Sequence, residues 1–364
     1  MNKLIKNSYF LLIVLTSLGA MISFVCKAQY KIQPTAHILM PAYNADKFIE
    51  TAIQSVLEQN YPNLKLLVFN DGSTDGTFKK VQKFLEKNPI LKDKIYLRST
   101  DHNKGVSQAR TTLIDWSKRE NPDAYIFWLD ADDKYISKSF VKDVIQQMRK
   151  TSADVCLVNF SVTYEDENQK SNAVGLVKEK EKEKMNGIIK AILSSPNQAI
   201  KPLELPNLLE VTSLGWIKCY APTVKLPRPV NCPFEDFVYM SALLEAKSIT
   251  ALHAEYEPIQ YLRRSTSICG QRKSKNFTHD IPSQLLKFFD TVLKHSMNQK
   301  DQLQKVEMAK GFVFRKLDQY AGVLEKIVAT NSHPDINQKT LEIYRKKATA
   351  IEKYINQKLA LLHR

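Results

Sequence analysis

The residues with the densest potential for chemistry lie in FWLDADDKY, Phe127 to Tyr135, where Asp130, Asp132 and Asp133 follow directly on an apolar run. Carboxylates that close repel one another and raise each other's pKa values unless something positive sits between them, and a divalent cation is the usual arrangement. Asn44 stands in a comparable place after the apolar run AHILM, and Asp71 after LKLLVF. Exposed loops are polar for solvation alone, so none of these positions is informative singly. Their coincidence at the ends of separate apolar runs points to a shared site. Farther on, the adjacent acids Glu235 and Asp236 open CPFEDFVYMSALLEA. Two acids there could serve as a proton acceptor with its neighbour, or merely favour a helix dipole.

The elements that must position these groups are legible in the periodicity. AHILM reads as a strand ending at Pro41. Ile49, Ala52, Ile53, Val56 and Leu57 then form the apolar stripe of a helix, with Asn44 or Asp46 as its cap. LKLLVF (Leu64 to Phe69) is a second strand and KIYLRS a third. A helix carrying Phe78, Val81, Phe84 and Leu85 lies between them. A further helix, Gly105 to Trp116, precedes the strand AYIFWL, Ala124 to Leu129. Strands alternating with helices at this pace predict an α/β fold, a mostly parallel sheet flanked by helices. In such sheets ligands bind at the carboxyl ends of the strands, where Asn44, Asp71 and Asp130 fall. VCLVNFSVTYE, Val155 to Glu165, reads as one more strand, and KEKEKEK as a solvated loop or helix face. From Ile281 the 3,4 spacing of Leu341, Tyr344, Ala348, Ile351, Ile355 and Leu362 predicts a C-terminal helical appendage.

The chain has 364 residues, 43% of them hydrophobic, so it can bury a large core and is not a disordered polymer. Its net charge of +15 is uneven, because residues 271–364 hold 18 Lys and Arg against 9 Asp and Glu. Such a tail suits anionic lipid, nucleic acid or an acidic substrate, or is simply a solvated helical surface. Lys3 and Lys6 precede an almost uncharged run, Tyr9 to Val25, which is expected to be a signal peptide or signal anchor bringing the chain to a membrane through residues 9–25. The side of the membrane is left open, since Lys flanks both ends. Two sequons, at Asn159 and Asn276, are compatible with a lumen. Cys156, Cys219, Cys232 and Cys269 show no CxxC spacing, which disfavours zinc and leaves disulfides open. No His pair has metal-ligand spacing.

Four blocks, LMPAYN, FNDGSTDGT, NKGVSQAR and LDADD, taken in this order and spacing, resemble the family 2 glycosyltransferases, whose catalytic domain has the GT-A fold. Looser agreement extends to Trp216, Lys218 and Tyr220, to Glu235-Asp236 and to YLRRSTSI, Tyr261 to Ile268. With the N-terminal apolar run and the basic helical tail read above, the resemblance divides the chain into a signal peptide or signal anchor at 1–30, a catalytic domain at 31–270 and a basic helical region at 271–364. It implies a loop of Pro41, Tyr43 and Asn44 beside a nucleotide base, Asp71 hydrogen-bonding base or ribose, and Gly105 admitting the nucleotide closely. Arg110 would hold the carboxylate loops. Asp130 and Asp132 would form a DxD motif, Asp132 the more direct ligand of Mn²⁺ or Mg²⁺. Arg263, Arg264 and Ser267 would close over the diphosphate, Trp216 and Lys218 would lie on the acceptor side, and Asp236, with Glu235, would be the general base. The implied reaction is metal-dependent, inverting transfer from a nucleotide sugar, with a UDP-sugar the preferred donor, to a glycan or glycolipid. A module that binds nucleotide sugar without turnover, or a protein acting through its basic tail on membrane or nucleic acid, are the alternatives, nucleic acid being the least expected partner.

Overall fold

A computed structural model describes residues 33–165, 173–205, 208–211, 217–229, 235–264 and 275–363. Strand β1 (Ala36–Ala42) is apolar almost throughout and buried on both faces, so it can only lie at the centre of a covered parallel sheet. It pairs in parallel with β2 (Leu64–Asp71) on one side and β4 (Tyr125–Trp128) on the other, and β2 pairs in parallel with β3 (Ile95–Thr100). The intervening crossovers are α1 (Ile49–Leu57), α2 (Thr77–Lys87) and α3 (Val106–Glu120). Within α1, Ile49, Ala52, Ile53 and Val56 face the sheet.

β1 runs past Pro41 instead of stopping there. Its pairing with β4 ends at Leu39 opposite Trp128, so the missing N–H of Pro41 falls where one neighbour has already been lost. A second departure concerns Val155 to Glu165, which forms two strands. β6 (Val155–Leu157) enters the large sheet, while β7 (Ser161–Tyr164) joins a small one with β5 (Lys134–Tyr135) and β11 (Ile259–Arg263). The chain turns between them at Asn159, whose buried amide donates to Asn186 Oδ1 at 2.8 Å and to the Ala254 carbonyl. A glycan cannot be attached at Asn159 in the folded protein.

The large sheet has eight strands, in the order β3-β2-β1-β4-β9-β6-β10-β8, with β8 (Ala199–Ile200), β9 (Ile217–Tyr220) and β10 (Ile249–Ala251) completing it. β9 is antiparallel to both β4 and β6, and the sheet is otherwise mostly parallel. The register sets Cys156 opposite Cys219, both as free, buried thiols. Cys232 and Cys269 lie outside the described residues. Helices α4 (Phe140–Thr151) and α5 (Ala173–Ser194) follow β5 and β7, and KEKEKEK lies within α5. After the short α6 (Leu208–Val211) and β9, the segment opened by Glu235 forms α7 (Asp236–Tyr239) and α8 (Ser241–Glu245), with Met240 between them. The C-terminal helices α9 (Ile281–Ser296), α10 (Gln302–Thr330) and α11 (Gln338–Leu362) pack on one another, with α9 also against α7 and α8. Phe237 of α7 meets Phe312 of α10 edge to face, so sheet and helical region share one apolar core. Among the described residues no helix is long and apolar enough to cross a membrane, and the run Tyr9 to Val25 lies outside them.

Candidate active site

The parallel register aligns Ala42 with Asn70, so the loops after β1 and β2 leave the sheet side by side. Their polar residues bind each other. The Asn44 side-chain oxygen accepts from the Thr74 N–H at 2.9 Å, and the Asn44 N–H donates to Ser73 Oγ at 3.0 Å. The Ala45 N–H donates to Thr77 Oγ1 at 2.8 Å and the Asp46 N–H to Asp75 Oδ2 at 3.1 Å. Neither Asn44 nor Asp46 caps α1, whose N-cap position is Phe48 with no side-chain hydrogen bond. Asn44 instead takes a left-handed conformation, φ 49°, which Asn tolerates better than most residues. Tyr43 stands 45% exposed at the loop's tip, with Pro41 in the strand below.

Asp71 is buried, and its Oδ1 accepts the Lys104 N–H at 3.0 Å, tying the end of β2 to the approach to α3. The next residue, Gly72, has φ 64°, and a Cβ there would lie 2.4 Å from the His102 carbonyl carbon. Only glycine fits by both criteria. Gly105, φ 89°, has open space where a Cβ would stand. Gly72, Ser73, Asp75 and Thr77 escaped residue-by-residue reading, although FNDGSTDGT advertises them as a run of turn formers.

The crowded carboxylates each have a separate partner. Arg110 Nη2 donates to Asp130 Oδ1 at 2.9 Å. Its Nε lies 3.1 Å from Glu235 Oε1, an ion pair off the N–H axis, and its guanidinium sits 5.0 Å from the centre of the Trp128 ring. One cation thus ties the loop after β4 to the residues that open α7. Arg264 Nη2 lies 2.5 Å from Asp132 Oδ2, and the Leu262 N–H donates to Asp133 Oδ1 at 3.0 Å. The antiparallel pairing of β5 with β11, Ile259 opposite Tyr135 and Gln260 opposite Lys134, explains the second set. Continuing that register brings residues 262–264 back along the carboxylate loop. Among the described residues, the guanidiniums of Arg110 and Arg264 are set against these acids.

Burial sets the proton affinities. Desolvation and the neighbouring Asp236 push the Glu235 carboxyl up to about 8, against the pull of Arg110. Desolvation and Asp130 raise Asp132, which Arg264 draws back down. The Arg110 guanidinium, although buried, is held charged by Asp130 and Glu235. Glu235 is 4% exposed whereas Asp236 is half-buried, so Asp236 is the more accessible acid of the pair. Trp216 and Ser267 lie outside the described residues. Lys218 is placed on β9 and Arg263 at the end of β11 by their backbones alone. Asn44, Asp71, Arg110, Asp130, Asp132, Glu235, Asp236 and Arg264 are thus ordered around one end of the strands β1, β2 and β4.

The sequence profile described as Glycosyl transferase family 2 matches residues 37–201. The chain is 33% identical over 125 residues to the Escherichia coli UDP-Glc:alpha-D-GlcNAc-diphosphoundecaprenol beta-1,3-glucosyltransferase WfgD, a match covering 34% of this chain and 45% of that one. It is 26% identical over 118 residues to the processive diacylglycerol beta-glycosyltransferase of Mycoplasma genitalium, covering 32% and 33% respectively. The alignments span half or less of the length of the curated relatives. Among solved structures, S. aureus TarS 1–349 superposes with a TM-score of 0.54 at 14% identity, over 89% of this chain and 90% of that one, which establishes a common fold. Motif blocks, sheet order and sequence profile agree: residues 37–201 match the family 2 glycosyltransferase profile, and the described chain has the GT-A fold it shares with TarS.

Proposed function

We propose that this protein transfers a sugar, with inversion, from a nucleotide diphosphate donor to a hydroxyl of a glycan or glycolipid. The observation that carries this reading is the Arg110 bridge between Asp130 and Glu235. It brings a candidate donor-side carboxylate loop and Glu235, the neighbour of the candidate base Asp236, into one preorganised cluster, and preorganised charge of this kind commonly contributes more to catalysis than any other single effect. WfgD is named for a UDP-sugar donor and a diphosphoundecaprenol-linked acceptor, which supports a UDP-sugar and a lipid-linked acceptor here. Residues 9–25 would bring the chain to the membrane that holds such an acceptor.

In this mechanism the base and ribose rest against Tyr43 and Asp71. Asp236 takes the acceptor hydroxyl's proton as that oxygen attacks the anomeric carbon from the face opposite the leaving diphosphate. Glu235, buried against Arg110, positions its neighbour. Arg264 meets the negative charge that grows on the departing diphosphate. The residues fit a divalent cation: Asp130 and Asp132 offer hard carboxylate oxygens two residues apart, the donor chemistry of Mg²⁺ or Mn²⁺. Among the described residues no three or more acids, His or Cys gather as a metal cage. Held by Asp132 with Asp130, that ion would supply Lewis-acid stabilisation of the leaving group.

Thermal denaturation with UDP, GDP, CMP and their sugar conjugates, with and without Mn²⁺, tests the donor site. A donor at about 100 times its dissociation constant adds ~2.7 kcal/mol of apparent stability. The expected result is a shift that needs one nucleotide together with metal and is lost in Asp132→Asn. No shift with any nucleotide, from folded protein, overturns the reading. A shift with no sugar transfer to any lipid-linked acceptor leaves a binding module in its place.

A further inference from the structure

We propose that the outer face of α11 is a docking surface for an anionic lipid bilayer. The inner face of this helix, with Leu341, Tyr344, Ile351, Ile355 and Leu359, is buried against its neighbours. At 100° per residue, Lys339, Ile343, Lys346, Ala350, Lys353, Gln357 and Leu361 fall within about 40° of a single line on the opposite side. All seven are exposed, Ile343 at 39% and Leu361 at 62%. The stripe runs about 33 Å, at 1.5 Å per residue. It contains no acid, and among the described residues Lys339, Lys346 and Lys353 have no ion-pair partner.

The neighbouring helix shows that this is not a general property of the bundle. The exposed charges of α10 are of mixed sign, Glu307, Arg315, Asp318, Glu325 and Lys326. His363 lies 3.9 Å from Glu307, which sets the far end of the α11 stripe beside the start of α10. Exposed Met297 and Leu303 lie at the junction of α9 and α10, toward the same end of the bundle. The bundle lies within the segment that holds 18 Lys and Arg against 9 acids.

Lysines alternating with Ile, Ala and Leu match one surface chemistry. The ammonium groups reach anionic headgroups on flexible stems, while the apolar side chains between them enter the boundary of the acyl region. Nucleic acid gains nothing from Ile343 or Leu361, and the stripe has no aromatic ring on which a base could stack. A second copy of the chain would present the same unpaired lysines and be repelled. The proposal is independent of the sugar-transfer reading.

The test uses the full chain, so that residues 9–25 are common to every sample. Binding is measured to vesicles of phosphatidylcholine alone and of phosphatidylcholine mixed with phosphatidylglycerol, at low and high salt. The expected result is tighter binding with phosphatidylglycerol, lost at high salt. Each lysine removed in Lys339→Gln, Lys346→Gln and Lys353→Gln should weaken it about fivefold. Replacing the same three by Arg should keep it, and Ile343→Ser with Leu361→Ser should weaken it further. Photoreactive phosphatidylglycerol on the unaltered chain should crosslink to peptides spanning 339–361, a readout that needs no variant to fold. Equal phosphatidylglycerol dependence with and without the three lysines overturns the proposal. So do crosslinks confined to other segments, or lysine-dependent binding to RNA but not to vesicles.

Discussion

The strand-end cluster and the C-terminal bundle are built from the same charged residue types, and they use them in opposite ways. Arg110 has a side chain only 12% exposed and joins Asp130 to Glu235, while Arg264 meets Asp132. In the bundle, Arg345 meets Glu325 at 2.7 Å with both side chains about half exposed, and the α11 lysines face outward. Distance alone does not separate these pairs. What separates them is water: desolvation makes each charge at the site depend on its partner, whereas solvent screens the partners on the bundle almost fully.

This contrast can be broken at several points. The largest effect is expected from Asp236→Asn, which removes the proposed base and should lower kcat by ~10²–10⁴ with donor affinity retained, read by steady-state transfer and nucleotide titration. Above pH 8, where Glu235 is ionised, Arg110→Met should cost about 3–5 kcal/mol in urea denaturation, because buried Glu235 and partly exposed Asp130 lose their shared cation. Adding Glu235→Gln should restore part of that loss, and a purely additive double variant would deny the coupling.

A buried group outside the site extends the same logic. His37 donates to or accepts from Ser117 Oγ at 2.8 Å, and burial lowers its pKa from 6.5 to about 4. A depressed folded pKa means stability present above pH 6.5 and lost as pH falls through about 4, up to ~3 kcal/mol in all. His37→Gln should flatten the stability profile across that window. The smallest effect belongs to Arg345→Met, expected to cost under about 1 kcal/mol because its pair with Glu325 is solvated. A cost for it matching that of Arg110→Met would erase the distinction between the two regions.

Much of the candidate site's composition was readable before any fold was known. Asp71, Asp130 and Asp132 are marked by apolar runs that stop at them, and the buried face of α11 by its 3,4 spacing. Those signals are local, since periodicity reports which side of an element is dry. Asn44 was readable as a candidate at a strand end but not in its local role, because the left-handed turn that removes it from the start of α1 is stabilised by Ser73 and Thr74 from another loop. Val155 to Glu165 has one apolar pattern and two destinations, a choice made by whichever strands it finds as neighbours. The pairing of cation with carboxylate was equally hidden. Arg264 reaches Asp132 through the register of β5 and β11, strands more than a hundred residues apart in sequence. By itself the sequence determined the parallel core, the motif blocks and the acids at the strand ends, because burial and turn chemistry are written locally. Only the tertiary structure decided which charge neutralises which, because strand register and desolvation arise from contacts between segments that the chain order does not bring together.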